Sequence, residues 1–245
     1  MTLSSTSEPT ILFCIPFSGG SYYAYQSLLR HFPKSIQAVT LELPGRGRRF
    51  GKPLLHDAHA MTDDLISQMG DQLRPGQSYA LFGHSLGALL AALVARKAQT
   101  LSLRQPDHLF VSGKGGLSQV PTSQRHRLPS AAFIREVSDF GGMSPELMAN
   151  QALLNLFEPI LRADIQASET YRYESQQITI PIDAFVGTRD LMTPDDVRLW
   201  QRETSHPLSL HIYEGNHFFL FDHEADIARQ ISTKLIRATQ LIAYA

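Results

Sequence analysis

Short apolar runs alternate with stretches of helical spacing through most of this chain. The run Ile11–Ile15 reads as a strand, and Tyr22–His31 as a helix after it. Ile36–Leu43 reads as a second strand, closed by Pro44-Gly45. Within Ala60–Leu73, Met61, Leu65, Met69 and Leu73 recur every four residues, the spacing of one helical face, before Arg74-Pro75-Gly76 breaks the pattern. Tyr79–Phe82 is a third strand, followed by a helix from Leu86 towards Lys97 and a fourth strand at His108–Ser112. Strands separated by helices need crossover connections. The pattern therefore predicts an α/β fold, a mostly parallel central sheet with helices on both faces.

The alternation stops between about Gly115 and Gln177, where helix starts are present and strands are not. Ser144-Pro145 offers a cap followed by proline at the first helical position. Asn155–Tyr173 is helix-compatible, with a new helix expected to begin at Pro159. Sheet alternation resumes at Ile182–Val186, and Thr193-Pro194-Asp195-Asp196 opens a helix with a cap, a proline and an acidic first turn. Leu208–Tyr213 is the last strand, and His223 to Ala243 the last helix. The expected organisation is a single domain over residues 1–245, with a helical lid inserted at about 115–177. There is no internal repeat.

Composition narrows the function. A chain of 245 residues, 43% hydrophobic and 18% charged, can bury a core without disulfide or metal staples. A formal net charge of -1 gives no reason to expect nucleic acid or an anionic membrane as a partner. The single cysteine, Cys14, lies in an apolar run, so it reads as a buried small hydrophobe, not part of a disulfide framework or metal site. Met1–Pro9 lacks the basic start and apolar stretch of a signal peptide, and no apolar run is long enough to cross a bilayer. A cytoplasmic protein, monomeric by default, is the expectation.

Gly83-His84-Ser85-Leu86-Gly87 fits the G-x-S-x-G nucleophile elbow. An apolar strand stands directly before it and an Ala/Leu-rich helix directly after. Such a turn strains the serine and tolerates only small neighbours, and it aims the helix N-terminus at a developing oxyanion. A serine hydroxyl needs a base oriented by a carboxylate, and in this fold the chain order is Ser, acid, His. Asp190 follows the strand Ile182–Val186, and His217 follows the last strand, both where strand ends carry catalytic groups. Asp195 and Asp196 belong to a helix first turn, Asp164 to the insertion, and Asp183 to the wrong end of its strand. His211 lies inside a strand and His223 at a helix start. Ser85, Asp190 and His217 are therefore the expected triad. The oxyanion donors are expected to be the N–H of Leu86 and one from Pro16-Phe17-Ser18-Gly19-Gly20, with Phe17 preferred and Ser18 the alternative.

Several longer stretches resemble one family. Phe13-Cys14-Ile15-Pro16-Phe17-Ser18-Gly19-Gly20, Leu43-Pro44-Gly45-Arg46-Gly47-Arg48-Arg49 and the elbow are similar to the landmarks of type II thioesterases, α/β-hydrolases that partner nonribosomal peptide and polyketide synthases. Phe140-Gly141-Gly142, Pro159-Ile160-Leu161-Arg162-Ala163-Asp164 and Glu169-Thr170-Tyr171 carry the resemblance into the insertion. Ser18 departs from it, where alanine is the commoner residue. The resemblance implies an α/β-hydrolase fold with helices capping the site; the expected Ser-His-Asp chemistry needs no metal or redox cofactor. It implies acyl thioesters on the phosphopantetheine arms of carrier proteins as substrates, and an editing role on misprimed or stalled synthases. A carboxylesterase or lipase, or a medium-chain fatty acyl thioesterase, is the alternative on the same scaffold.

Arg46, Arg48 and Arg49 could meet a phosphate or an acidic carrier face, or could pin their own loop; the second reading is preferred. Phe133, Met143, Leu147, Leu153, Leu156 and Phe157 either pack the lid or line an acyl channel, with packing expected for most.

Overall fold

The computed structural model describes residues 8–119, 122–141, 143 and 145–243, with the backbone alone for Pro145, Leu147 and 237–243. Six parallel strands form one sheet: β1 (Thr10–Ile15), β2 (Ile36–Thr40), β3 (Tyr79–His84), β4 (Leu109–Ser112), β5 (Ile182–Gly187) and β6 (Ser209–Tyr213). Their spatial order is β2-β1-β3-β4-β5-β6. The chain leaves β1 to one side for β2 and returns to the other side for β3. The carboxyl ends of β1 and β3 thus flank the point where strand order reverses, the usual place for a site in an open α/β sheet.

The helices are α1 (Gln26–Leu29), α2 (Ala58–Gly70), α3 (Leu86–Thr100), α4 (Ser130–Ser138), α5 (Pro145–Ala149), α6 (Gln151–Thr170), α7 (Pro194–Arg198) and α8 (Glu224–Ala243). Alternate strand residues face opposite sides of the sheet and build two apolar layers. Phe13, Leu81 and Val111 pack on one side with Met61 and Leu65 of α2 and Leu89 and Leu93 of α3. Leu12, Phe82 and Phe185 pack on the other with Leu28 of α1 and Ile227 and Ile231 of α8. Cys14 belongs to this second layer and is fully buried. Among the described residues no helix is long and apolar enough to cross a membrane.

Three helices, α4 to α6, lie between β4 and β5, within the stretch where strand alternation stops. They have a small core of their own in Phe133, Val137 and Leu161, with Met143 and Ile165 against it. Pro159 does not begin a helix, contrary to the sequence reading: α6 runs through it, capped at its start by Asn150, whose side chain accepts from Leu153 N–H. The missing proline N–H deprives the Asn155 carbonyl, and Asn155 and Pro159 are both exposed, so water can serve that carbonyl in place of a helical donor. Ser144 lies outside the described residues, so its expected cap role does too. The early helix is also shorter than its pattern. Residues 22–25 are turns, because Tyr25 is drawn into the core, where its hydroxyl donates to the Ile15 carbonyl at 3.1 Å. The cap expected at Thr193 is formed, as a capping box with Asp196.

Candidate active site

Ser85 stands between β3 and α3 with φ 55° and ψ −115°, a conformation that costs energy for a residue with a side chain. The packing around the elbow holds it there. A β-carbon on Gly83 would come within 2.0 Å of the Gly87 carbonyl oxygen, and one on Gly87 within 2.0 Å of the Ile15 carbonyl oxygen. Only glycine fits at either place. The Ser85 N–H donates to the Ser112 carbonyl at 2.8 Å, which fixes the turn against the end of β4. Ser85 therefore heads α3 at the carboxyl edge of the sheet.

Asp190 follows β5 and His217 follows β6, and the two meet: His217 Nδ1 lies 2.9 Å from Asp190 Oδ1. The carboxylate is fully buried and the imidazole nearly so. A buried carboxylate on Nδ1 selects the tautomer that leaves Nε2 free to act as a base, and steadies the ring when it becomes charged. Phe17, Ser18, Ser85, Asp190 and His217 all line one cavity of about 340 Å³, so the expected site residues that carry side-chain chemistry are brought together. Leu86 begins α3 beside them.

Aromatic rings hold the histidine in place. His84 packs against His217 at 4.8 Å between ring centroids, Phe140 at 5.6 Å and Phe218 at 5.2 Å. His84 is fully buried, with Nδ1 at 2.9 Å from Ser112 Oγ. Desolvation, helped by the nearby His217, pushes its pKa well below the ordinary histidine value, so it supports the site as a neutral ring. In the G-x-S-x-G pattern His84 fills a variable position, so the motif assigns it no part. A polar residue in a buried turn was the available signal.

The loop arginines divide. Arg46 is buried and forms a two-pronged ion pair with Asp164 of α6, 2.8 Å on one prong. Arg49 pairs with Asp64 and donates to the Glu42 carbonyl at 2.7 Å. Arg48 is exposed, its guanidinium 3.6 Å above the Tyr22 ring. Pinning of the loop thus accounts for Arg46 and Arg49. Asp164 does more, because it also accepts the Gly19 N–H at 2.7 Å and so ties α6 to the loop after β1. Glu169, which lines the cavity, plays a similar part, accepting from Ser123 Oγ and from the backbone of Arg125 and His126. Burial alone would raise its pKa, but these bonds and the His126 ring outweigh it and hold the carboxyl below its usual range.

The lid residues also divide. Phe133 is packed, and Met143 both packs and lines the cavity. Leu153 and Leu156 are 39% and 44% exposed, so the expectation of packing fails for them. Helical spacing alone could not tell an inner from an outer apolar face here. Phe157 is half-buried, and the Leu147 side chain lies outside the described residues.

A serine at a strained strand–helix turn over a parallel sheet lines one cavity with a buried Asp–His pair, an arrangement that fits the α/β-hydrolase fold. The chain belongs to the thioesterase family, whose thioesterase-domain model matches residues 10–235. It is 33% identical to thioesterase PikA5 of Streptomyces venezuelae, over 92% of this chain and 80% of that one. The crystal structure of ClbQ from the colibactin nonribosomal peptide/polyketide pathway superposes with a TM-score of 0.89 at 28% identity, covering 96% of this chain and all of that one. The type II thioesterase BorB from the borrelidin biosynthetic cluster gives 0.84 at 29% identity, covering 94% of each chain. The protein is a thioester hydrolase and resembles type II thioesterases of such pathways along more than nine-tenths of its length.

Proposed function

We propose that this enzyme removes acyl groups from the phosphopantetheine arms of carrier domains, as a cytoplasmic editing enzyme for a nonribosomal peptide or polyketide synthase. The observation that carries the proposal is the contact between His217 Nδ1 and Asp190 Oδ1, 2.9 Å long, in the cavity that Ser85 lines. In this reading Ser85 Oγ attacks the thioester carbonyl while His217 Nε2 takes its proton and Asp190 stabilises the imidazolium. The oxyanion is held by the N–H of Leu86, at the positive end of α3, and by that of Phe17. Asp164 already occupies the Gly19 N–H, which favours a donor nearer the start of the loop after β1. The pantetheine thiolate then leaves, taking the proton from His217. Water activated by the same imidazole splits the acyl-serine ester and regenerates Ser85. Helices α4 to α6 act as a lid on the cavity, and the carrier docks against them.

An editing enzyme meets many acyl groups, so among short neutral ones its selectivity should come mainly from the carrier and its arm. Remote binding can lower the barrier by holding the thioester against Ser85. Acetyl, propionyl and butyryl groups on a phosphopantetheinylated carrier should therefore be hydrolysed with at least about tenfold higher kcat/KM than on coenzyme A. Steady-state comparison at one pH and salt concentration tests this. Equal kcat/KM on both, with strong dependence on chain length, would mark a free acyl-thioesterase instead.

A further inference from the structure

One lysine in the cavity has no role in that mechanism. Lys114 follows β4 in Gly113-Lys114-Gly115-Gly116 and lines the same cavity as Ser85 and His217. Its place is fixed from both sides. Ser112, two residues earlier, receives the Ser85 N–H, and Gly113 has φ +59°, with the His84 ring 2.3 Å from where its β-carbon would be. The Lys114 carbonyl accepts the indole N–H of Trp200 at 2.8 Å.

The other charged groups around it have partners. Glu169 holds His126 and Arg125, and Arg125 also reaches Glu136. Asp190 holds His217. Asp196, close by in the chain fold, is taken by Gln119 and by Thr193. The phenols that share a small side pocket with Lys114, Tyr171 and Tyr173, both face Arg96. For the Lys114 ammonium there is no carboxylate within 4.0 Å and no hydrogen-bond acceptor among the described residues. Desolvation lowers its pKa to about 8, which leaves it mostly charged at neutral pH. The side chain is half-buried, so its ammonium is partly desolvated and has no counter-ion, and an anionic ligand in the cavity supplies one.

We propose that Lys114 is a specificity residue on the acyl side of the site, its ammonium receiving a carboxylate borne by the acyl group at the end away from the thioester. The proposal rests on the thioester-hydrolase reading of the cavity. It places the carboxylate on the acyl group and not on the pantetheine phosphate, because that phosphate is separated from the thioester by the whole arm. Lys114 and Ser85 share one cavity of about 340 Å³.

The test compares pantetheine thioesters of succinate and of 4-methylpentanoate, which have the same size and branching and differ in charge. The quantity read is the ratio of their kcat/KM values. Lys114→Met, similar in length and uncharged, should lower the succinyl preference at pH 7 by at least about tenfold, and Lys114→Arg should keep most of it. In the wild type the preference should also fall as the pH rises through about 8, where the free enzyme's lysine loses its proton, and in Lys114→Met it should stay level. An unchanged ratio in Lys114→Met, or an equal fall for both substrates, overturns the proposal. So does an effect that appears only when the arm carries its phosphate, tested with the matching phosphopantetheine thioesters. Wild-type enzyme that hydrolyses neither thioester overturns the thioesterase reading and this proposal together. Turnover of both with an insensitive ratio overturns this proposal alone.

Discussion

Ser85 is the proposed nucleophile, and its backbone is strained at the turn that presents it. The strain is held by two glycines that admit no β-carbon and by a hydrogen bond to β4. Because the hydroxyl takes no part in holding the turn, Ser85→Ala should fold like the wild type. It should lose on the order of 10^4 to 10^6 in kcat, as expected when a cooperating set of residues loses its nucleophile. His217→Ala should lose a similar amount, and the double variant little more. Single-turnover hydrolysis with a thermal melt alongside tests both statements. A Ser85→Ala enzyme retaining a tenth of wild-type activity would remove Ser85 from the mechanism.

Between elements, the contact that most directly couples the helical segment to the site is Asp164. One carboxylate, fully buried on α6, binds Arg46 from the loop after β2 and the Gly19 N–H from the loop after β1. Breaking a buried ion pair leaves its partner uncompensated, so Asp164→Asn should destabilise the enzyme by about 3–5 kcal/mol. Replacing the whole pair, as Arg46→Met with Asp164→Leu, should recover most of that stability, since apolar residues of similar size need no desolvation. It should not recover kcat/KM, because the Gly19 N–H then has no acceptor and the loop carrying Phe17 is less firmly held. Urea denaturation and steady-state kinetics on the same preparations separate the two effects. A double variant with wild-type kcat/KM would show that the contact serves stability alone.

On the scale of the whole molecule, the two ends of the sheet carry different ionisable groups. The carboxyl ends of the strands carry the site. Near the other end, Asp183 of β5 is buried between His108 Nε2 at 2.7 Å and His211 Nε2 at 2.6 Å, with Lys234 of α8 3.1 Å away. Burial alone would raise the Asp183 pKa, but its two histidine partners and the lysine outweigh it and hold it well below the usual carboxylate range. A depressed folded-state pKa means stability that is present above the unfolded value of about 3.9 and lost as the pH falls towards the folded value. Asp183→Asn should therefore be less stable than the wild type by about 3 kcal/mol at pH 7. That gap should narrow as the pH falls below about 4. Urea midpoints measured from pH 7 down to pH 3 test it, and a gap that stays constant would mean that Asp183 contributes through packing and not through its charge.

The sequence alone determined the alternation that makes a parallel sheet, the elbow at Ser85, and the positions of Asp190 and His217 after their strands. These are local signals: apolar period, glycine spacing and the residue that follows a strand. It also located the helical segment between β4 and β5, because strand-type alternation is absent there. What it left undecided depends on partners far apart in the chain. Arg46 and Asp164 are 118 residues apart, and no spacing rule joins them. Pro159 stays inside α6 because its outward face lets water serve the carbonyl it deprives, a matter of which side of the helix is wet. No motif or spacing marks Lys114, and only the folded cavity puts it beside Ser85 with its charge unpaired. Charge pairing and burial are properties of the assembled chain, so the tertiary structure decided them.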